Sequence, residues 1–436
     1  MPHRDLLIDH PDRHRLNDEL HARPFAQLRT PVRASYLAFL TGETSAEADR
    51  LHAMRLADEL GQAWPGDARD FAIFGDDQLR VRWERHTEFT SYTLFSGGMV
   101  DPSAPFGDSV LDQVPEAWLA ACPGRVIVAT QVAVLAPEAM PDGGPDGQLL
   151  ELENTAAARV SGGAASVYTD FRIRPDGAVR ILVADHGLKP RQAGRLVQRL
   201  TEIETYRTLA MMGFSEARSL GPRLSYLERE LAKLTTAMTQ PGSPEVDRDT
   251  LTRLTELAAE VEQIAADRSY RFAATRAYRA LVDRRVEELR EQRLAEWQTI
   301  GEFLDRRFGP AMRTVEAVAS RQTQLADRVQ RASTLLRTRV DVALEQQNQH
   351  LLQSMDRRAD AQLRLQQTVE GLSVVAISYY LVGLILYLGK AAKAAGLPID
   401  PELAAGLALP LVLLSVWRGV KHLREALSRE EPHPPA

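Results

Sequence analysis

The segment EGLSVVAISYYLVGLILYLGK, residues 370–390, decides the architecture of this chain. Its central nineteen residues, 371–389, carry no charged side chain. At 1.5 Å per residue, a helix of that length nearly spans a hydrocarbon core about 30 Å thick. A buried hairpin of a soluble protein is the alternative, but the length of the run favours a membrane span.

A second apolar segment, LAAGLALPLVLLSVW at residues 403–417, follows after a short connection. It is shorter, and it reaches across a bilayer if Arg418 snorkels and the helix continues through Val420. The two segments together predict a two-helix transmembrane hairpin at residues 371–420, followed by a short cytoplasmic tail, 421–436.

The charges around this hairpin predict its orientation. Cytoplasmic flanks of membrane spans carry an excess of Lys and Arg. Such residues precede the first span and follow the second: Arg357, Arg358, Arg364, Arg418, Lys421, Arg424 and Arg429. In the connection, Lys390 and Lys393 are offset by Asp400 and Glu402. Both termini are therefore expected in the cytoplasm, and the charged N-terminal twenty residues lack the apolar core of a signal peptide.

The composition limits the possible partners and cofactors. A net charge of −6 and a pI of about 6.0 do not favour nucleic-acid binding, which requires a basic surface. The single cysteine, Cys122, excludes an intrachain disulfide and a multi-cysteine zinc site, and no base lies beside it in sequence. We expect a structural Cys122, no nucleic-acid partner and no cofactor.

Residues 1–188 show the patterns of a sheet. LRVRWERH (79–86) alternates apolar and charged residues as a half-buried strand does, and RVIVATQVAVL (125–135) is a nearly continuous apolar run. SVYTDFRIRPDGAVRILVADHG (166–187) predicts a hairpin. Its inward residues are expected to be Val167, Phe171, Ile173, Val179, Ile181 and Val183. With helical stretches such as 46–60, the region is predicted to be an α+β domain of the α/β type.

Helices follow, with a helical domain at 189–310 and a stalk at 311–370. The first helix is expected to start at Pro190 and to end near Gly213, and another is expected from about Arg248 to Phe308. The stalk contains no Gly or Pro over sixty residues and keeps a heptad rhythm. A helix of that length requires partners, so we expect coiled-coil packing and a homo-oligomer formed through the stalk.

Two groups of residues are candidates for chemistry. His10, His14, Asp18 and His21 would share one face if their segment were helical, and they could ligate a divalent metal. Surface histidines and ion pairs are the simpler explanation of this segment.

The second group is a row on one strand, Glu84, His86 and Glu88, which could serve metal binding or acid–base chemistry. A solvated sheet face with ion pairs is the commoner reason for such a row. No P-loop, GxGxxG or GxSxG motif is present. An enzyme would need a cleft in which His21, Arg23, Glu84 or His86 converge with shifted pKa values, and the sequence favours a protein that is not an enzyme.

The first span has a stripe of small and polar residues, Ser373, Tyr380, Gly383 and Tyr387. Such a stripe could line a pore, and it also describes ordinary packing between helices in membranes. Neither span contains an ionisable side chain other than tyrosine, so an ion relay within the membrane is not expected.

Five segments in order resemble the uncharacterised bacterial family of domain of unknown function 3422, and together they extend over nearly the whole chain. They are NDELHARPF, ERHTEFTSYTLF, YTDFRI, AGRLVQRLTEIETYR and VEGLSVVAISYYLVGLI. The resemblance implies a membrane-anchored protein in the bacterial inner (plasma) membrane and implies no activity. The layout of stalk, span, loop and span is also similar to that of CorA-type magnesium channels. Their Gly-Met-Asn signature is missing here, where the sequence reads YLGKAAK.

We therefore expect a membrane-anchored cytoplasmic module that acts as an oligomeric scaffold or sensor. The alternative is an ion channel or transporter on a CorA-like plan, in which case a divalent metal ion would be a partner.

Overall fold

The computed structural model describes residues 8–21, 23–42, 45–66, 68–98, 100–140, 144–145, 147–240, 243–396, 398 and 400–427. Its strands are β1 (Val32–Leu40), β2 (Phe71–Gly75), β3 (Arg80–Arg85), β4 (Phe89–Gly97), β5 (Arg125–Leu135), β6 (Ala156–Val160), β7 (Ala165–Ile173), β8 (Val179–Asp185) and β9 (Gln292–Arg293). Its helices are α1 (Arg13–His21), α2 (Ala46–Glu59), α3 (Glu116–Ala120), α4 (Pro190–Met238), α5 (Pro244–Leu289), α6 (Ile300–Arg307), α7 (Gly309–Ala394) and α8 (Pro401–Leu427).

The strands form one mixed sheet in the order β2-β3-β4-β1-β5-β8-β7-β6-β9. Neighbouring strands are antiparallel, except for β5 and β8, which pair in parallel. The predicted α/β character of the N-terminal region is confirmed, as are the strand at 125–135 and the hairpin at 166–187.

Strand β3 is buried on both faces, so the expectation of a half-buried strand is wrong. Val81 and Trp83 face a core that α2 and α3 cover, together with Leu56 and Trp118. On the opposite face Arg82 is only 3% exposed, and α4 packs on this side of the sheet, where Thr205 bonds to Tyr36. The charged residues of β3 therefore lie inside the protein.

The β7–β8 hairpin contains a bulge that changes which side chains face inward. Val167 is buried and Phe171 is nearly so, as predicted, but Ile173 is 74% exposed. The register shifts between Thr169 and Ile173, and Phe171 adopts a positive φ of 53°. Between these two pairs β7 advances four residues and β8 only two, so the bulge interrupts the regular alternation of β7, and the expectation that Ile173 points inward is wrong.

Helix α4 does not end near Gly213 but continues to Met238. Gly213 is buried where α4 crosses α5, and a Cβ at this position would overlap the Thr275 hydroxyl. The glycine therefore allows two helices to approach closely and does not cap one.

The helix expected to reach Phe308 ends at Leu289. Arg290 has a positive φ of 52°, and β9 then pairs with β6 at the edge of the sheet. A capping box between Thr299 and Glu302 starts α6. The Gly309–Pro310 pair, which directly follows the expected helix end at Phe308, instead begins α7.

Contacts divide the described residues into two compact units, within Met1–Pro241 with Asp249–Ser333 and within Gly242–Arg248 with Thr334–Ala436. In the first unit, α4 runs antiparallel to α5, since Arg223 pairs with Glu260 and Arg199 with Glu288. The start of α7 packs beside them, where Arg321 donates to Glu228.

In the second unit, the rest of α7 and α8 form a pair of apolar helices. Each is long and apolar enough to cross a membrane: α7, and the stretch Pro401–His422 of α8. Gly389 of α7 approaches Pro401 of α8, whose side chain would lie 3.2 Å from a Cβ on that glycine. Small residues let two such helices come close together.

Candidate functional site

A layer of polar side chains lies between the sheet and helices α4 and α5. Glu84 of β3 accepts a hydrogen bond from Arg82 Nη2 at 2.9 Å, and both side chains are buried. The Thr205 hydroxyl of α4 donates to the Tyr36 hydroxyl of β1 at 2.9 Å. Buried polar groups of this kind are expensive unless they are paired. The pairings satisfy these groups where helix α4 covers the sheet.

The tip of the β3–β4 hairpin is attached to α5 through Glu88. The Glu88 carboxylate accepts from Arg271 Nη2 at 2.6 Å and from the Tyr278 hydroxyl. Tyr278 in turn stacks on Tyr206 of α4, with the ring centroids 5.7 Å apart. Glu88 is therefore occupied by protein donors, and its role in the structure is to fix the hairpin tip.

A cleft of about 480 Å³ opens beside this tip. It lies in the first unit, between the hairpin, the segment before β1, and helices α4 and α5. Its described lining residues are Arg23, Asp70, Arg85, His86, Thr87, Phe89, Tyr206, Tyr278 and Leu281. The structure thus places Arg23 and His86, two of the four residues named for a possible catalytic cleft, in one cleft.

Burial governs the protonation of the groups around this cleft. It lowers the pKa of His86 to about 3, and the charges of Arg23 and Arg82 act in the same direction. Burial also raises the pKa of Glu84, although the charge of Arg82 opposes this. The pKa values of Tyr206 and Tyr278 are raised by burial as well. His86 is therefore a neutral imidazole at physiological pH, stacked on Phe89 with centroids 4.1 Å apart.

These groups are better suited to binding than to acid–base catalysis. A general acid or base works best when its pKa lies near the operating pH. At His86, Tyr206 and Tyr278 the pKa moves away from neutrality. A guanidinium, a neutral imidazole and the Tyr206 phenol can still donate hydrogen bonds to a polar ligand, whereas the Tyr278 hydroxyl already donates to Glu88.

The predicted row of Glu84, His86 and Glu88 is not assembled as a metal site in the structure. Within the described part of the chain, no group of three or more His, Cys, Asp or Glu side chains is placed to hold a metal ion. Glu84 is paired with Arg82, and Glu88 with Arg271. The alternative explanation, a solvated sheet face with cross-strand ion pairs, holds only in part: both carboxylates form ion pairs, but Glu84 pairs within its own strand, Glu88 pairs with a helix, and the face is buried.

The N-terminal histidines lie only partly on one helix. Helix α1 begins at Arg13, so His10 precedes it and its Nδ1 accepts from the backbone N–H of Asp12 at 3.2 Å. His14 is largely exposed, with Nε2 3.7 Å from Asp9. Asp18 is exposed on the helix, and the side chain of His21 lies outside the described residues. The helical face shared by all four residues, on which the metal hypothesis depended, is therefore not formed.

The polar stripe of the first apolar segment faces away from α8. Ser378, on the opposite side of α7 from the stripe, is only 3% exposed, whereas Tyr380 and Tyr387 are 76% and 72% exposed. Ser373 is also exposed and Gly383 partly so. The stripe is thus available to lipid or to another molecule, and the pairing of α7 with α8 does not use it.

Cys122 is partly buried beside the core of the sheet, and burial raises its pKa to about 12. Its thiolate is therefore scarce at neutral pH, as the structural role requires. Sequence reasoning missed Tyr206 and Tyr278 as part of the cleft. Each lies on a helix far along the chain from β3, and an isolated tyrosine in a helix carries no signal of its neighbours.

The comparisons with known proteins concern the whole chain. A search of curated proteins gives no match. The model of a family described as protein of unknown function (DUF3422) matches residues 8–427, which is nearly the full length and agrees with the resemblance of the five segments. The chain therefore belongs to the DUF3422 family.

Proposed function

We propose that this protein is a membrane-anchored module of the bacterial cytoplasm that acts as an oligomeric scaffold or sensor. The observation that carries the proposal is the exposure of apolar side chains along the α7–α8 pair. The exposed members include Leu372, Leu384, Leu388, Leu403, Leu407, Leu411 and Trp417. A continuous apolar surface of this size is unfavourable in water and is the expected exterior of a helix pair in lipid.

In this proposal α7 and α8 cross the inner membrane as a hairpin, with both ends in the cytoplasm. Arg357, Arg358 and Arg364 precede the first span, and Arg418 and Lys421 follow the second. The positive-inside rule favours this orientation. Lys421 also lies over the Trp417 ring, 5.5 Å from its centroid, as an interfacial pair would.

Self-association would occur through α7 before it enters the membrane. Beyond Leu336 the helix leaves apolar residues exposed at alternating spacings of three and four. These residues, with the polar members of the same face, are Leu344, Asn348, Leu351, Met355, Arg358, Gln362, Leu365 and Val369. Copies anchored in the same membrane present this face at the same height, which favours a parallel coiled coil. Asn348 in such a seam would fix the register.

Cysteine cross-linking in native membranes tests both parts of the proposal. Leu351→Cys lies on the seam, and Gln353→Cys, two residues further on, lies on the opposite face of the helix and is equally accessible. Disulfide dimers are expected in the membrane fraction for Leu351→Cys and not for Gln353→Cys. Recovery of the protein in the soluble fraction would refute the anchor, and equal cross-linking of the two variants would refute the seam.

A channel is the second candidate, because the stripe of Ser373, Tyr380, Gly383 and Tyr387 faces away from α8. It lies on the same side of α7 as the cytoplasmic seam, since Ser373 follows the seam residue Val369 by four residues, about one helical turn. Several copies joined through the seam would therefore bring these stripes together. The subunit count in detergent separates the candidates: a pentamer supports ion flux, and a dimer has too few spans to enclose a pore.

A further inference from the structure

A second pocket, of about 360 Å³, lies in the first unit at the junction of β7, α4 and α6. We call it the Phe171 pocket. Its described lining residues are Asn154, Asp170, Phe171, Arg172, Arg207, Met211, Phe303, Leu304, Arg307 and Phe308. The apolar members are mostly buried, whereas Arg307 is exposed at the rim. The pocket therefore has an apolar floor and a basic edge.

The floor is built around a strained aromatic residue. Phe171 has a φ of 53° in the bulge of β7, a conformation that costs a bulky side chain free energy. The ring stacks on Phe303, with centroids 5.1 Å apart and an interplanar angle of 29°. The bulge thus places the Phe171 ring in the lining of the pocket, stacked on Phe303.

Arginines bracket the aromatic pair. The guanidinium of Arg207 lies over Phe171, 5.1 Å from the ring centroid, and that of Arg307 lies over Phe303 at 5.8 Å. Cations over aromatic faces hold both groups in place. The edge of the pocket is therefore preorganised.

Once the ion pairs are counted, one positive charge remains among the described residues that line the pocket. Arg207 is paired with Glu204, Arg172 with Glu151, and the buried Asp170 with Arg174. Within the described part of the chain, Arg307 has no carboxylate partner, and its Nη2 donates to the neutral Asn154 Oδ1 at 2.5 Å.

We propose that the Phe171 pocket binds a small aromatic carboxylate. The ring would pack in the pocket beside Met211 and the edges of the stacked Phe171–Phe303 pair, and the carboxylate would accept from the guanidinium of Arg307. One unpaired cation suits a monoanion, and Arg binds carboxylates in a planar geometry. The volume accommodates one or two fused rings.

The position of the pocket connects it to the stalk. Phe308 lines it, and α7 begins at the next residue, Gly309. A ligand in the pocket would therefore stabilise the start of the helix that continues into the apolar segment. This inference rests on the proposed sensor role and extends it: the aromatic carboxylate would be the signal that the sensor detects.

Equilibrium dialysis tests the assignment with the full chain in lipid nanodiscs, and empty nanodiscs provide the background. The probe is 2-naphthoate, and its neutral amide, 2-naphthamide, is the matched comparison. Arg307→Gln is expected to weaken 2-naphthoate binding about tenfold, the loss of one charge-assisted hydrogen bond, and to leave 2-naphthamide unchanged. Arg307→Lys should retain part of the affinity.

Arg306→Gln is the control variant, because Arg306 is the neighbouring arginine and donates to Gln298 outside the pocket. It should bind 2-naphthoate like the unsubstituted protein. No binding above empty nanodiscs, or equal effects of the two glutamine variants, would overturn the assignment. Neither result affects the membrane anchor, which fractionation and cross-linking test separately.

Discussion

Gly194→Ala is expected to destabilise the first unit, although alanine is the better helix former. Gly194 lies in α4 against the segment before β1. A Cβ there would overlap the carbonyl oxygen of Ala26 and lie 2.8 Å from its carbonyl carbon. Because both contacts are with backbone, no side-chain rotation relieves them. Overpacking costs up to about 3 kcal/mol, and the helix gains about 1 kcal/mol, so the free energy of unfolding should fall by about 2 kcal/mol.

Urea unfolding of the purified full chain, followed by circular dichroism at a helical wavelength, measures this loss. Ala232→Gly, at an exposed position of the same helix, calibrates the helix term and should cost about 1 kcal/mol. If helix propensity alone determined the free energy of unfolding, Gly194→Ala would raise it by as much as Ala232→Gly lowers it. A Gly194→Ala variant at least as stable as the unsubstituted protein would refute the close approach of α4 to the backbone at Ala26.

Two further substitutions test buried ionisable side chains, His52 and Glu88. Burial lowers the pKa of His52 from 6.5 to about 4, so the unfolded chain takes up a proton that the folded chain excludes, and stability is lost as the pH falls below 6.5. His52→Phe should reduce the slope of the unfolding free energy against pH, below pH 6.5, by up to about 1.4 kcal/mol per pH unit. Glu88→Gln should cost about 3 kcal/mol, because Arg271 loses its charged partner. Replacing Glu47, whose pair with Arg50 is on the surface, should leave the urea midpoint unchanged.

Much of the fold was predictable because its signals are local. Local residue patterns predict the conformation of three segments: the apolar runs at 125–135 and 371–389, and the Pro175–Gly177 turn. Wherever a second segment decided the outcome, local reading failed. Gly213 resembles a helix cap, yet Thr275 of another helix determines its role.

The candidate site was less predictable than the fold. Arg82 and Glu84 are charged, as residues on a solvated face usually are. They are buried only because helices pack over this face of the sheet. The same limitation hid β9, since two polar residues between helices become a strand only by pairing with β6. Phe171 was expected to face inward in a regular strand, and the residue pattern of YTDFRI does not predict the bulge in which it lies.

The last strand of the sheet has a consequence for the order of events during synthesis. Beyond β9, the backbone of Ala157 donates to the carbonyl of Gln298, so the sheet is complete only when that part of the chain has left the ribosome. The first apolar segment begins at Gly371, 73 residues later. At roughly 5–20 residues per second, translation leaves about 4–15 seconds between these two points. The first unit therefore has this interval to complete its sheet before the apolar segments leave the ribosome.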